Sequence, residues 1–193
     1  SDTFVLAIKG DKVYFQTNLN APNGKIVVAD LKDPTPTHWK DLIPETENVI
    51  TPVVAGKYIL AHYMKDAISQ VKQYDFEGKF IREIKLPALG TVTLERAKEE
   101  ENESYFSFEN FYTPSCIYKL HLERGDTELY WAPKIDFNPN DFESKQVFYT
   151  SKDGTKVPMI ISYKKGTPLD GTAPATLYGY GGFNISYTPW FAV

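Results

Sequence analysis

Lys57-Tyr58-Ile59-Leu60-Ala61-His62-Tyr63, a loop holding Lys65-Asp66, and then Ser69-Gln70-Val71-Lys72-Gln73-Tyr74-Asp75-Phe76 form the stretch on which the fold turns. Both runs are rich in the branched and aromatic residues that fit a pleated, half-buried surface. Joined by a short polar loop, they predict a β-hairpin. A further short strand follows at Lys79-Phe80-Ile81-Arg82-Glu83-Ile84.

The same plan recurs on either side. Toward the N-terminus, residues 12–17 and 25–31 flank a loop with Pro22-Asn23-Gly24, and 38–43 supply the extra strand. Toward the C-terminus, residues 104–108 and 116–122 flank a loop with Thr113-Pro114, and 127–131 follow. Period-two alternation is plain in the latter unit, with Ile117, Lys119 and His121 set against Tyr118, Leu120 and Leu122. Matching strands recur about every 45 residues, a spacing within the range of propeller blades. Amphipathic helical periodicity is nowhere persuasive, so the chain is predicted to be mainly β. Three such units are fewer than the ~4–8 blades of known propellers, and the chain is therefore expected to hold part of a ring. Residues 3–8 are expected to form an inner strand of the first blade.

The repeat ends where Trp131-Ala132-Pro133 gives way to Asn138-Pro139-Asn140-Asp141, because proline removes ladder donors and Asn/Asp favour local turns. The domain boundary is placed near Lys134, dividing 1–134 from 135–193. Beyond it, residues 145–150 and 157–163 flank Asp153-Gly154, a strong hairpin signal.

The chain then reaches Pro174-Ala175-Thr176-Leu177-Tyr178-Gly179-Tyr180-Gly181-Gly182-Phe183. Its opening, residues 175–178, reads as a buried strand, and its close as a glycine-rich turn. Glycine permits positive φ and close backbone approach. Free backbone N–H groups and a phenol held between glycines are the donors needed to stabilise an oxyanion in acyl transfer. A core tyrosine beside a turn that needs glycine only for its geometry is the plainer alternative.

Tyr178-Gly179-Tyr180-Gly181-Gly182-Phe183-Asn184-Ile185-Ser186, with Ser151-Lys152-Asp153-Gly154-Thr155-Lys156-Val157-Pro158-Met159 before it, resembles the prolyl oligopeptidase family of serine peptidases. The resemblance implies the last few blades of a ring of about seven, followed by the first strands of an α/β-hydrolase domain. It implies that Tyr180 is the oxyanion donor, acting beside a backbone N–H next to the nucleophile. Gly179, Gly181 and Gly182 would shape the loop. Phe183 would line the pocket for proline, whose ring brings no N–H to satisfy. Asn184, Tyr187 and Trp190 lie near but are given no role. The nucleophilic serine, aspartate and histidine would lie downstream, so the chain is expected to be a fragment of a longer enzyme and inactive by itself. No Gly-X-Ser-X-Gly elbow occurs in the sequence.

The totals constrain the remaining classes. The composition is 42% hydrophobic and 24% charged, that of an ordinary globular chain, and the net charge of −4 argues against nucleic acid as partner. No apolar run approaches the ~18–20 residues of a membrane span. Cys116, the single cysteine, reads as a small buried strand residue and suits a reducing compartment. A cytoplasmic location is expected, or a periplasmic one if a leader precedes Ser1. His38, His62 and His121 fall on strand-like segments without a serine or cysteine partner at suggestive spacing. The run Lys98-Glu99-Glu100-Glu101-Asn102-Glu103 matches no calcium loop and reads as a solvated turn. Neither metal nor organic cofactor is required. The expected partners are short proline-containing peptides and the remainder of the same polypeptide. The alternative is a non-catalytic, propeller-type protein-binding module, which the period supports equally well. Typical Trp-Asp and Gly-His repeat signatures are missing from the sequence.

Overall fold

A computed structural model describes residues 1–136, 138–183 and 185–192; Asn184 and Val193 of the sequence reading lie outside them. Three four-stranded antiparallel sheets follow one another along the chain. The first holds β1 (Thr3–Lys9), β2 (Lys12–Thr17), β3 (Lys25–Asp30) and β4 (Lys40–Ile43). In the second are β5 (Val49–Ala55), β6 (Tyr58–Lys65), β7 (Ile68–Tyr74) and β8 (Phe80–Ile84). The third is built of β9 (Thr91–Leu94), β10 (Glu103–Glu109), β11 (Cys116–His121) and β12 (Thr127–Trp131). In each, spatial order equals chain order, the up-and-down meander of a propeller blade. A separate hairpin pairs β13 (Phe142–Thr150) with β14 (Lys156–Lys164) across the predicted Asp153-Gly154 turn, where Gly154 takes φ 88°.

The units are therefore four-stranded, one strand more than hairpin plus follower. β5 and β9 escape sequence reading for physical reasons. β5 carries Pro52, which lacks a ladder donor, yet it lies at a sheet edge where none is needed on the far side. β9 is only four residues long. His38 sits in a short 3-10 turn, Pro36–His38, and not on a strand.

The core lies between the sheets. One cluster joins the first sheet to the second through Tyr14, Ile26, Ile59, Ala61 and Tyr63, among others. Another joins the second to the third through Leu60, Val71, Phe106, Phe108 and Leu120. β6 feeds both, which explains its unbroken apolar run: a strand covered on two faces has no polar side to show. β10 is covered on one face, and Ser104, Phe106 and Phe108 alternate with outward-facing Glu103, Tyr105, Ser107 and Glu109. Burial of a phenylalanine ring in such a seam is worth roughly 1.5–3 kcal/mol.

Polar ties reinforce the seams. Gln73, fully buried, donates from Nε2 to the Leu122 carbonyl at 2.6 Å. Arg82 of β8 donates to the carbonyls of Glu123 and Arg124 in the turn before β12. Lys9, at the end of β1, reaches Glu99 in the β9–β10 loop at 2.8 Å and lies over the Phe76 ring. The acidic run is thus a turn with structural duties, since Glu101 also accepts from the Lys98 N–H at 2.7 Å. Cys116 is buried on β11, as expected, and burial pushes its thiol up.

The β13–β14 hairpin rests on one end of the sheets. Gln146 Nε2 donates to the Asp66 carbonyl at 2.8 Å, in the β6–β7 turn. Tyr112, in the β10–β11 loop, stacks on Phe142 with ring centroids 6.2 Å apart. The β6–β7 turn is a two-residue loop whose Asp66 and Ala67 both take left-handed backbone angles, φ 50° and 65°.

Candidate functional site

From Lys165 to Ala192 the described residues form no helix or strand, only turns, bends and irregular segments. The predicted buried strand over residues 175–178 is therefore corrected. Leu177 is 86% exposed, and the segment pairs with no sheet edge. An apolar strand forms only where a ladder receives its backbone groups, and no strand lies beside this segment to offer one.

The glycine loop differs in detail from expectation as well. Gly179, Gly181 and Gly182 do not take positive φ; that conformation falls on Phe183, at φ 55°. Space around Gly179 and Gly181 would admit a side chain, whereas a Cβ on Gly182 would come within 3.1 Å of the Tyr180 hydroxyl. Gly182 thus makes room for that hydroxyl. Tyr180 is 50% exposed and Phe183 91% exposed, so neither is packed into a core. The Ile185 N–H donates to the Gly182 carbonyl at 3.1 Å and closes the turn beyond them.

The neck of this loop is aromatic. Tyr178 and Tyr187 bring their rings to 4.9 Å, and the Tyr187 hydroxyl beside it holds the Tyr178 phenol above its ordinary range. Trp190 Nε1 donates to the Tyr187 hydroxyl at 3.0 Å. Tyr187 and Trp190 thereby acquire a structural part that the sequence did not assign.

The exit of the loop is fastened to the third sheet. Thr91 Oγ1 donates to the Pro189 carbonyl at 2.6 Å, and the Phe191 N–H donates to Glu109 Oε2 at 3.2 Å. Thr91 and Glu109 are register partners across β9 and β10. Among the described residues beyond Leu122, Pro189 is the one that is buried. Sequence reading found neither Thr91 nor Glu109; they are ordinary strand residues, made special by pairing with a segment 98 and 82 positions away, respectively. Alongside lies a cleft of about 300 Å³ between Phe111, Tyr112, Phe142, Tyr163 and Phe191.

A second polar pair also went unforeseen. His62 Nε2 lies 2.8 Å from Ser69 Oγ, so His62 does have a serine partner. The Ser69 hydroxyl is buried and accepts from the Val92 N–H at 2.9 Å. Desolvation holds the imidazole below its ordinary value, favouring the neutral ring. The pair fastens β6 and β7 to β9, and its serine is too enclosed to meet a peptide. Among the described residues no group of three His, Cys, Asp or Glu side chains is placed to hold a metal ion.

The N-terminal β-propeller domain of prolyl oligopeptidase matches residues 3–133 as a sequence profile. The prolyl endopeptidase of Elizabethkingia miricola is 50% identical over 184 residues, covering 95% of this chain and 26% of the relative. That of Elizabethkingia meningoseptica is 47% identical over 193 residues, covering 100% of this chain and 27% of its own. Among solved structures, apo prolyl oligopeptidase B from Galerina marginata superposes with TM-score 0.88 at 32% identity, over 99% of this chain and 28% of that one. The chain spans about a quarter of the length of these relatives. A profile running through all three sheets, and such identity along the rest, leave no other assignment: the chain belongs to the prolyl oligopeptidase family.

Proposed function

We propose that this chain is the last blades of the propeller and the opening of the α/β-hydrolase domain, divided near Lys134, of a serine oligopeptidase that cuts short peptides after proline. The remainder of the polypeptide supplies the catalytic serine, histidine and aspartate. Histidine takes the proton of the serine hydroxyl as the serine oxygen attacks the carbonyl carbon of proline. The C=O π pair moves onto oxygen, and Tyr180 donates its O–H to that oxygen. Collapse of the intermediate expels the amine, which receives the proton from histidine, and water later releases the acyl group by the same route. Phe183 offers the proline ring an apolar wall.

The observation that carries this reading is the Tyr180 hydroxyl, presented beside a glycine on an accessible loop instead of being packed away. The relatives that overlap this chain are prolyl endopeptidases, and an oligopeptidase of Galerina marginata binds a 35mer hydrolysis and macrocyclization substrate. Tyr180→Phe in the full-length protein is expected to lower kcat by ~10²–10³ with an unchanged unfolding midpoint. Steady-state kinetics on a proline-containing peptide measure this, and an undiminished kcat ends the assignment.

A further inference from the structure

We propose that Thr91 and Glu109, on the third sheet, are positioning residues for the tyrosine loop, so that the propeller itself sets where Tyr180 points. The proposal rests on the reading of Tyr180 as oxyanion donor. Pro189 and Phe191 are two residues apart, and the carbonyl of the one and the N–H of the other both meet side chains of the third sheet. Thr91 and Glu109, paired across β9 and β10, meet those two groups with a hydroxyl donor at 2.6 Å and a carboxylate acceptor at 3.2 Å. Side chains thus do here what a neighbouring strand does in a ladder. Burial of Pro189, in a tail otherwise open to solvent, marks the same spot independently.

From this clamp the linkage runs back to the reacting group. Trp190, between the two clamped residues, donates to the Tyr187 hydroxyl, and Tyr187 packs against Tyr178, two residues before Tyr180. The loop is therefore tied at its neck and held at its exit. A donor aimed at a developing charge loses much of its effect when displaced by about 1 Å, at a cost of up to ~10²-fold in rate.

The test uses Thr91→Val, which keeps the shape and loses the O–H, with Glu109→Ala and the conservative Glu109→Gln. Both positions are partly exposed, so the fold is expected to survive, and thermal denaturation checks it. With 5-fluorotryptophan incorporated, fluorine NMR should show the Trp190 resonance displaced in Thr91→Val and Glu109→Ala, restored toward its original position in Glu109→Gln, and the Trp39 resonance fixed throughout. In the full-length enzyme, kcat should fall about tenfold with KM unchanged, and this fall should vanish in a Tyr180→Phe background. An unmoved Trp190 resonance overturns the clamp whatever Tyr180 does. An equal fall in both backgrounds overturns the positioning role while leaving Tyr180 its own. The single Tyr180→Phe variant decides the underlying oxyanion reading separately.

Discussion

His62 contributes to the pH dependence of this protein's stability on the acid side. Its ring is desolvated at the seam between the second and third sheets, with Nε2 hydrogen-bonded to Ser69 Oγ. With the folded-state value held below 6.5, the unfolded chain binds the proton more readily as pH drops. The stability this ring contributes is full above 6.5 and is lost as pH falls through the lowered folded value. Urea midpoints measured one unit above and one unit below 6.5 should therefore fall on acidification, and His62→Leu should flatten that dependence. An unchanged slope in the variant would remove the ring as its source. At this scale the sequence was readable for Cys116, expected and found buried on its strand. It was silent for Thr91, Glu109 and Ser69, whose partners are met only after distant strands have paired.

Elements repeat the lesson. β2, β3, β6, β7, β10 and β11 stand out in sequence because their alternation or apolar runs mirror how many faces are covered. β9 is too short for a pattern, and β5 is disguised by Pro52. The strand expected at residues 175–178 has the right composition but meets no ladder, which shows that propensity nominates a strand and pairing makes one. The β6–β7 turn carries strain of its own, because Asp66 and Ala67 occupy the left-handed region that glycine favours. Ala67→Gly should raise stability by about 1 kcal/mol, read as a higher urea midpoint at constant slope. A lower midpoint would mean that the turn is better matched to alanine than its φ of 65° suggests.

For the whole molecule, sheets stacked in chain order behave as a short one-dimensional array, each unit stabilised by its neighbours. The second sheet is covered on both faces, the first and third on one, and the hairpin touches the stack only at its end. Hydrogen exchange should accordingly be slowest in β6 and β7, faster in β2 and β11, and faster again in β13 and β14. Equal protection in β13 and β6 would contradict this order. Phe4, Val5 and Ile8 on the edge strand β1 and Leu129, Tyr130 and Trp131 on the edge strand β12 are all exposed. Large apolar side chains in these places suit sheets that meet further blades, in keeping with the partial ring read from the repeat.

The seat of Pro189 bears on how such an enzyme would escape itself. Under the proposed function, an enzyme that cuts after proline would meet thirteen prolines in this chain alone and would have to keep those bonds from serving as bait. At the Pro189–Trp190 bond the proline is buried, and the oxygen that would take up charge during attack is already held by Thr91. Under the proposed function, the fastening that holds the exit of the glycine loop would therefore also withdraw the Pro189–Trp190 bond from digestion.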